Sequence, residues 1–326
     1  MRFRQSISAI VALIALVCVA GTAWGQRARL SYAGTAGFNM PFMVAHEAGL
    51  YKKYGLRDEL IFIPGAATTM QALLAGEIEF VNSSGSPAIN SILQGADVSI
   101  IAVSYDAMPY SLIVSKEIRT PEDLKGKTMG VARLGGINEV GIRLALEKFR
   151  INPKEVTFVS TGADPTRIAA VQAGVTAATV LAPPALFQAS SLGLKVLADL
   201  ADLGLKYPTS TIVTRRSYLS KDRPLVKKFM MAFLEGLALY KTDRNFVINV
   251  MQKYTRLNDT AMLGKTHDYF VKNTVAIPLV DPNVLPAGFP SGKNPEKPLS
   301  EFYDNSILQE LINEGFTKNL AKKASK

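Results

Sequence analysis

The sequence predicts an α/β protein built as two similar lobes, and three observations predict it. Short apolar strands alternate with amphipathic helices from Arg27 to about residue 214. Small polar loops rich in Gly, Ser and Thr stand ahead of several of those helices. One segment also occurs twice, as PGAATTMQALLAGEIEFV at 64–81 and TGADPTRIAAVQAGVTAATV at 161–180. Aligned on Gly65 and Gly162, both copies read Gly-Ala, place Thr69 and Thr166 four residues on, and enter an Ala-rich helix. They close at Gly76 and Gly174, the second with one extra residue before its closing glycine. A single pair at this spacing is not a solenoid, which needs three or more short repeats. Two related lobes can face each other across a cleft.

Taken in order, the first strands are expected at 29–32, 59–63, 78–81 and 98–104, with helices at 41–54, 68–75 and 87–94 between them. Gly55, Gly76 and Gly95 stand where helix C-terminal caps belong. This is the pattern of an α/β lobe with a mainly parallel sheet. A second series follows, with strands at 112–115, 128–132, 156–160, 177–181 and 195–198 and helices at 137–149, 165–173 and 184–192. After a strand at 209–214 the character changes to long helices at 223–241, 244–254, 259–273 and 299–316. Residues 278–298, rich in Pro, Gly and Asn, read as a surface loop. Two arrangements remain open. Lobe 1 is either discontinuous, with lobe 2 inserted and crossings near 105–110 and 206–211, or the chain divides sequentially near residue 205.

The chain starts with Arg2 and Arg4, an apolar run at 7–20, then Ala23-Trp24-Gly25, the order of a secretory signal. Cleavage after Gly25 leaves 301 residues. The apolar run is short for a bilayer span. The single cysteine, Cys18, lies within this segment, so disulfides, thiolate catalysis and Cys-ligated metals are excluded from the remainder. The formal charge of +10 falls to +8 without Arg2 and Arg4, and Lys318, Lys322, Lys323 and Lys326 supply half of that. Basic residues gathered at one end, without a stripe of interleaved aromatics, argue against nucleic-acid binding.

Four loops carry the expected chemistry: Gly65 to Thr69 with Thr68, Ser84-Gly85-Ser86, Gly136-Ile137-Asn138, and the turn holding Asp164. Each leaves a strand and enters a helix, where free N–H groups favour an anion or acceptor oxygen. Glycine lets a ligand approach the backbone and hydroxyls add hydrogen bonds. Thr68, Ser86 and Asp164 are equally good N-cap residues, so helix capping competes with binding at each. Phe38 and Asn39, with Tyr105 at the first crossing, can form apolar and aromatic walls. Arg133 can pair with a carboxylate, sulfonate or phosphate. Arg167, a cation in the first turn of a helix, opposes the helix dipole and is held there for a reason.

Several motifs fail. Gly126-Lys127-Thr128 lacks the earlier glycine of a phosphate loop, that position being Pro121, and Thr128 starts a strand. No Gly-x-Ser-x-Gly elbow occurs. His46 and His267 have no metal-ligand spacing, and structural roles are expected for both. No cofactor is expected.

Ala45-His-Glu-Ala-Gly-Leu-Tyr51, Tyr54-Gly-Leu56, Gly65, Ala75-Gly76, Asp123-Leu-Lys-Gly-Lys127, Gly130-Val131 and Pro183-Pro184 together resemble the exported solute-binding proteins for nitrate, sulfonates, taurine and thiamine-precursor pyrimidines. The resemblance runs from about Arg29 to Thr255. It implies a type II periplasmic-binding-protein fold with a hinge and interlobe cleft, and lobe 1 formed by 26–108 and 207–326 around lobe 2 at 109–206. It implies ligand contacts at Phe38, Asn39, Gly65 to Thr69, Ser84 to Ser86, Tyr105, Gly136 to Asn138 and Pro183. Thr176-Ala177 departs from the acidic residues, Glu77 and Glu79, that come after the closing glycine within the first copy. The expectation is a monomeric, non-enzymatic periplasmic protein that captures a small anionic or polar organic ligand for an ABC permease of the inner membrane. The alternatives are an enzyme on the same fold and a ligand-presenting sensory module.

Overall fold

The computed structural model describes residues 25–63, 65–290 and 297–324. The expected signal lies outside them except for Gly25. The first series runs β1 (Gln26–Tyr32), α1 (Met40–Glu47), α2 (Leu50–Lys53), β2 (Leu56–Phe62), α3 (Ala66–Leu74), β3 (Phe80–Ser83), α4 (Gly85–Leu93) and β4 (Ser99–Ala107). The second runs β5 (Ser111–Val114), β6 (Thr128–Val131), α5 (Ile137–Lys148), β7 (Thr157–Ser160), α6 (Asp164–Gln172), β8 (Ala178–Leu181), α7 (Ala185–Ser191) and β9 (Lys195–Asp199). Then follow β10 (Lys206–Thr214), α8 (Arg216–Lys221), α9 (Arg223–Thr242), α10 (Arg244–Thr255), α11 (Thr260–Val271), α12 (Ser306–Asn313) and α13 (Phe316–Ala324).

The strands form two five-stranded sheets of matching order, β2-β1-β3-β10-β4 and β7-β6-β8-β5-β9. In the first, β1 lies parallel to β2 and β3, and β10 runs antiparallel to β3 and β4. In the second, β6 lies parallel to β7 and β8, and β5 runs antiparallel to β8 and β9. The sheets are therefore mixed, not mainly parallel. The strand that carries the chain over from the other sheet enters each one in the opposite sense.

The repeat survives this comparison with one correction. Both copies bridge equivalent strands, β2 to β3 and β7 to β8, and α3 and α6 have equal length. Gly76 and Gly174 close them with φ of 77° and 71°. Counting back from these glycines, Thr68 matches Thr166 and Thr69 matches Arg167. The extra residue of the second copy thus falls in the turn before its helix, not within it.

Two expected helices are divided. The helix at 41–54 breaks at Gly49, whose φ of 67° suits glycine and ends α1 before α2 starts. The helix at 299–316 is interrupted because the chain pauses to pair with edge strand β4. Ile100 N–H donates to Phe302 O at 3.1 Å and Asp304 N–H to Ile100 O at 2.9 Å. The expected loop at 278–298 includes a 3₁₀ turn, Pro282–Gly288, that buries Val284 and Leu285.

One face of the first sheet packs on α1, α9 and α10. The rings of Phe80 and Phe229 stack there at 3.7 Å, 5° from parallel. The opposite face packs on α3 and α4 with Phe302. The second sheet is covered by α5 on one face and α7 on the other. Gly236 of α9 meets α1 so closely that an added Cβ would lie 2.5 Å from Ala45 Cβ and 2.9 Å from its Cα. Alanine's better helix propensity offers about 1 kcal/mol, whereas overpacking costs about 1–3 kcal/mol. Gly236→Ala is therefore expected to destabilise by up to about 2 kcal/mol, measured by urea denaturation; a stabilised variant would show that the helices separate freely.

Candidate functional site

Strand direction decides where a site can form. Strands β1, β2, β3 and β4 all point one way, so their carboxyl ends and the start of β10 share one edge. Strands β6, β7 and β8 likewise place their ends beside the start of β5 and the end of β9. The chain passes between these edges at 107–111 and again at 199–206, so the two carboxyl edges face each other. Loops at such edges are where open α/β sheets bind ligands.

On the lobe 1 side, the 3₁₀ turn Gly37–Asn39 leads into α1. Phe38 lies 5.8 Å from the Tyr105 ring and 5.5 Å from Phe270, edge-on to the latter. Asn39 is tied inward: Ser210 Oγ donates to its Oδ1 at 3.1 Å and its Nδ2 donates to Gly34 O at 3.2 Å. Ser210 Oγ in turn accepts from Asn82 Nδ2 at 3.0 Å and from Ser104 Oγ at 3.1 Å. A buried polar knot thus lies beneath the lobe 1 edge. Gly65, with φ of 91°, is the N-cap of α3, and Thr68 is exposed beside it. Thr69 is fully buried, its hydroxyl donating to Ala66 O at 2.9 Å. Ser84 is the N-cap of α4, and Gly85 packs on Pro208, where a Cβ would lie 2.8 Å from the ring. Ser86 meets the Tyr207 hydroxyl at 2.5 Å, while the Tyr207 ring packs in the lobe 2 core.

On the lobe 2 side, Gly136 is the N-cap of α5, with Ile137 and the buried Asn138 in its first turn. Arg133 is exposed just ahead of them, and its carbonyl accepts from Gly136 N–H at 3.2 Å. It makes no ion pair among the described residues. Asp164 occupies the first position of α6, not the expected cap, which is Ala163. Helix caps at Gly65, Ser84 and Ala163 leave Thr68, Ser86 and Asp164 inside their helices. Pro183 is buried two residues past the end of β8.

Arg167 is the unusual residue of this wall. It is only 3% exposed; its guanidinium donates to Gly162 O at 2.9 Å, Val180 O at 3.3 Å and Asp164 Oδ1 at 2.5 Å. Its Nε is buried without a partner among the described residues. Thr69 Oγ1, its counterpart, similarly reaches back to Gly65 O at 3.2 Å. Burial pushes the Tyr110 hydroxyl pKa up, opposed by the nearby Arg167 charge and by the Asn138 side chain. Asn138, Asp164 and Arg167 thus all act electrostatically on Tyr110.

The family model described as NMT1/THI5 like matches residues 39–243. The chain belongs to that family. Within sequence relatives, it is 26% identical over 231 residues to a Brachyspira hyodysenteriae protein named as a candidate ABC transporter periplasmic binding protein, covering 66% of each chain. It is 28% identical over 177 residues to the taurine-binding periplasmic protein of Escherichia coli, covering 53% of this chain and 54% of that one. The chain thus spans less than two thirds of the length of the curated relatives it matches. The fold matches the periplasmic aliphatic sulphonate binding protein SsuA of Escherichia coli with a TM-score of 0.63, at 21% identity, covering 75% of this chain and 84% of that one. These structural matches show the periplasmic-binding-protein fold.

Other residues of this NMT1/THI5-like chain have structural partners. His46 Nδ1 contacts Asp58 Oδ2, and His267 Nε2 lies 2.8 Å from Tyr240 O. Glu79, within the first repeat copy, holds Arg29 through a 2.6 Å ion pair. No group of three potential metal ligands occurs among the described residues. Sequence reasoning left Tyr110, Arg167 and Tyr207 out of the site. Arg167 carried a visible signal, a cation opposing a helix start, whereas the tyrosines are ordinary in sequence and become neighbours only through the crossings. Removing the acceptor that Asn39 gives to Ser210 leaves a buried hydroxyl donor unmet, at about 1–3 kcal/mol. Asn39→Ala should lower the denaturation free energy by that amount; an unchanged midpoint would show that the knot rearranges at no cost.

Proposed function

We propose that the protein is an exported, non-enzymatic solute-binding protein of the periplasm that captures one small anionic or polar organic molecule between its lobes. The captured molecule passes to an ABC permease in the inner membrane. The observation that carries this reading is the opposition of two carboxyl edges joined by two crossings, with helix N-termini from both lobes along them. The named binding proteins among its relatives support the reading, as do the signal-like N-terminus and the fold.

The ligand's acceptor atoms fit the lobe 2 wall, where free N–H groups at the start of α5 point outward beside Asn138 and Arg133. The buried Arg167, ion-paired with Asp164, lies behind that wall with one guanidinium N–H unpartnered among the described residues. The ligand's body fits the lobe 1 wall near Phe38 and the Ser84 to Ser86 turn. Sulfonates and carboxylates suit this division. A ligand that touches both lobes binds the closed form better than the open one, and that differential affinity draws the lobes together.

Micromolar affinity corresponds to about −8 kcal/mol, within reach of a few charge-assisted hydrogen bonds of about 1.5–3 kcal/mol each plus apolar burial. Calorimetric titration with alkanesulfonates, short carboxylates, nitrate and pyrimidines is expected to reveal one binder from these classes. Asn138→Ala should weaken that binder about tenfold, as loss of one such bond requires. Small-angle scattering should show contraction on saturation. Unchanged dimensions with a bound ligand would overturn closure, and full affinity in the Asn138 variant would overturn the placement on lobe 2.

A further inference from the structure

Helix α11 belongs to lobe 1 by sequence and by packing, yet its last turn lies against lobe 2. Leu263 of α11 is buried in the lobe 1 core. Phe270 packs with Tyr105 and Phe38, and Gly37 has no side chain where a Cβ would fall 2.2 Å from the Phe270 ring. One residue earlier, Tyr269 reaches across. Its ring packs on the lobe 2 cluster of Ile113, Leu181 and Leu186, edge-on to Phe270 at 5.0 Å. Its hydroxyl donates to Asp199 Oδ2 at 2.6 Å.

Asp199 ends β9, where the chain leaves lobe 2 for the return crossing, and its carboxylate is fully engaged. Ser111 Oγ donates to Oδ2 at 2.8 Å; the N–H groups of Ala201 and Asp202 donate to Oδ1 at 3.0 and 3.2 Å. Burial and the Asp199 charge both push the Tyr269 pKa up, so the hydroxyl stays a donor throughout the physiological range. Beside it, Lys272 Nζ donates to Asp202 Oδ1 at 2.5 Å. That pair is exposed on both sides and adds less than the Tyr269 bond.

We propose that Tyr269 and Lys272 latch lobe 2 to α11, a third connection between the lobes that sets how far the cleft opens before any ligand arrives. The two covalent crossings act as hinges and permit rotation. A rotation that carries α11 away from the end of β9 lengthens the Tyr269–Asp199 and Lys272–Asp202 contacts, because α11 packs with lobe 1 while Asp199 ends a lobe 2 strand. The latch therefore weights the equilibrium toward the closed side. Phe38 lies at the other end of the same aromatic chain, through Phe270, so the cleft wall and the latch are in contact.

The test needs no ligand. Spin labels at Gln71→Cys on α3 and Lys148→Cys on α5, both exposed, report the separation of the lobes by pulsed dipolar spectroscopy; the chain's one cysteine is replaced, Cys18→Ser. In Tyr269→Phe the ring packing is kept and the donor lost. The population at long distances is expected to rise about tenfold, the weight of one hydrogen bond to a charged acceptor. Asp202→Ala, at an exposed position that leaves both cores untouched, should move the distribution the same way by a smaller step. Lys227→Ala, which removes a pair to Glu310 and Glu314 within lobe 1, should leave it unchanged. Distributions for Tyr269→Phe and Asp202→Ala that superimpose on the parent, or shift to shorter distances, would overturn the latch.

Discussion

The pairing of β10 with both β3 and β4 is the interaction on which the rest of this molecule depends. Strand β10 brings the chain back from lobe 2 and inserts between two strands made more than a hundred residues earlier. It completes the first sheet and fixes the return crossing beside the outgoing one. Its polar side chains are matched inside the sheet: Thr209 Oγ1 donates to Ala107 O at 2.7 Å, Thr211 Oγ1 to Ser83 O at 2.9 Å and Thr214 Oγ1 to Glu79 O at 2.8 Å. Buried hydroxyls without such partners would cost more than they return, so the strand has one favourable position.

That position has consequences at the cleft. Ser210, at the centre of β10, collects Asn39, Asn82 and Ser104 into a single knot, so the turn after β1, the end of β3 and the outgoing strand are fixed together. The register of β10 with β4 shifts between Lys206 and Ser210, at the stretch holding Tyr207 and Pro208. There the regular ladder is interrupted, and Tyr207 sends its ring into lobe 2 while its hydroxyl meets Ser86. The register with β4 also shifts between Ser210 and Thr211 and between Ile212 and Val213, so β10 is irregular along its length and is held inside lobe 1 by its side-chain bonds. Lys206 and Asp106 pair at 2.7 Å across the two crossing strands, holding them side by side through the bend.

The strands and their order along the chain were legible because alternation of short apolar runs with capped helices is a local signal. All ten expected strands form, with shifted ends. Sheet direction was not legible, since antiparallel insertion of β5 and β10 depends on pairings 64 to 132 residues apart. The break between Phe302 and Ser306 was hidden for the same reason: the local pattern is helical, but edge strand β4 competes for those backbone groups. At the site, glycine and hydroxyl loops were readable as helix starts, while burial was not. Thr69 looked like a ligand contact in a small polar loop, yet it faces inward and bonds its own helix. Residues such as Tyr110 and Tyr207 gain meaning only when the crossings bring the two edges together.

The corrected repeat register also explains an asymmetry between the lobes. Duplicated loop–helix units place a buried side chain at the same point, where it bonds the carbonyl of a left-handed glycine. In lobe 1 that side chain is a neutral threonine; in lobe 2 it is arginine. A hydroxyl satisfies the turn and adds no charge. The guanidinium satisfies the same turn, ties Val180 as well, and pairs with the half-exposed Asp164. Placing a cation behind a helix start works against the dipole, so local stability alone does not favour arginine there. The lobe 2 unit thus buries an ion-paired arginine at the point where its lobe 1 counterpart is neutral.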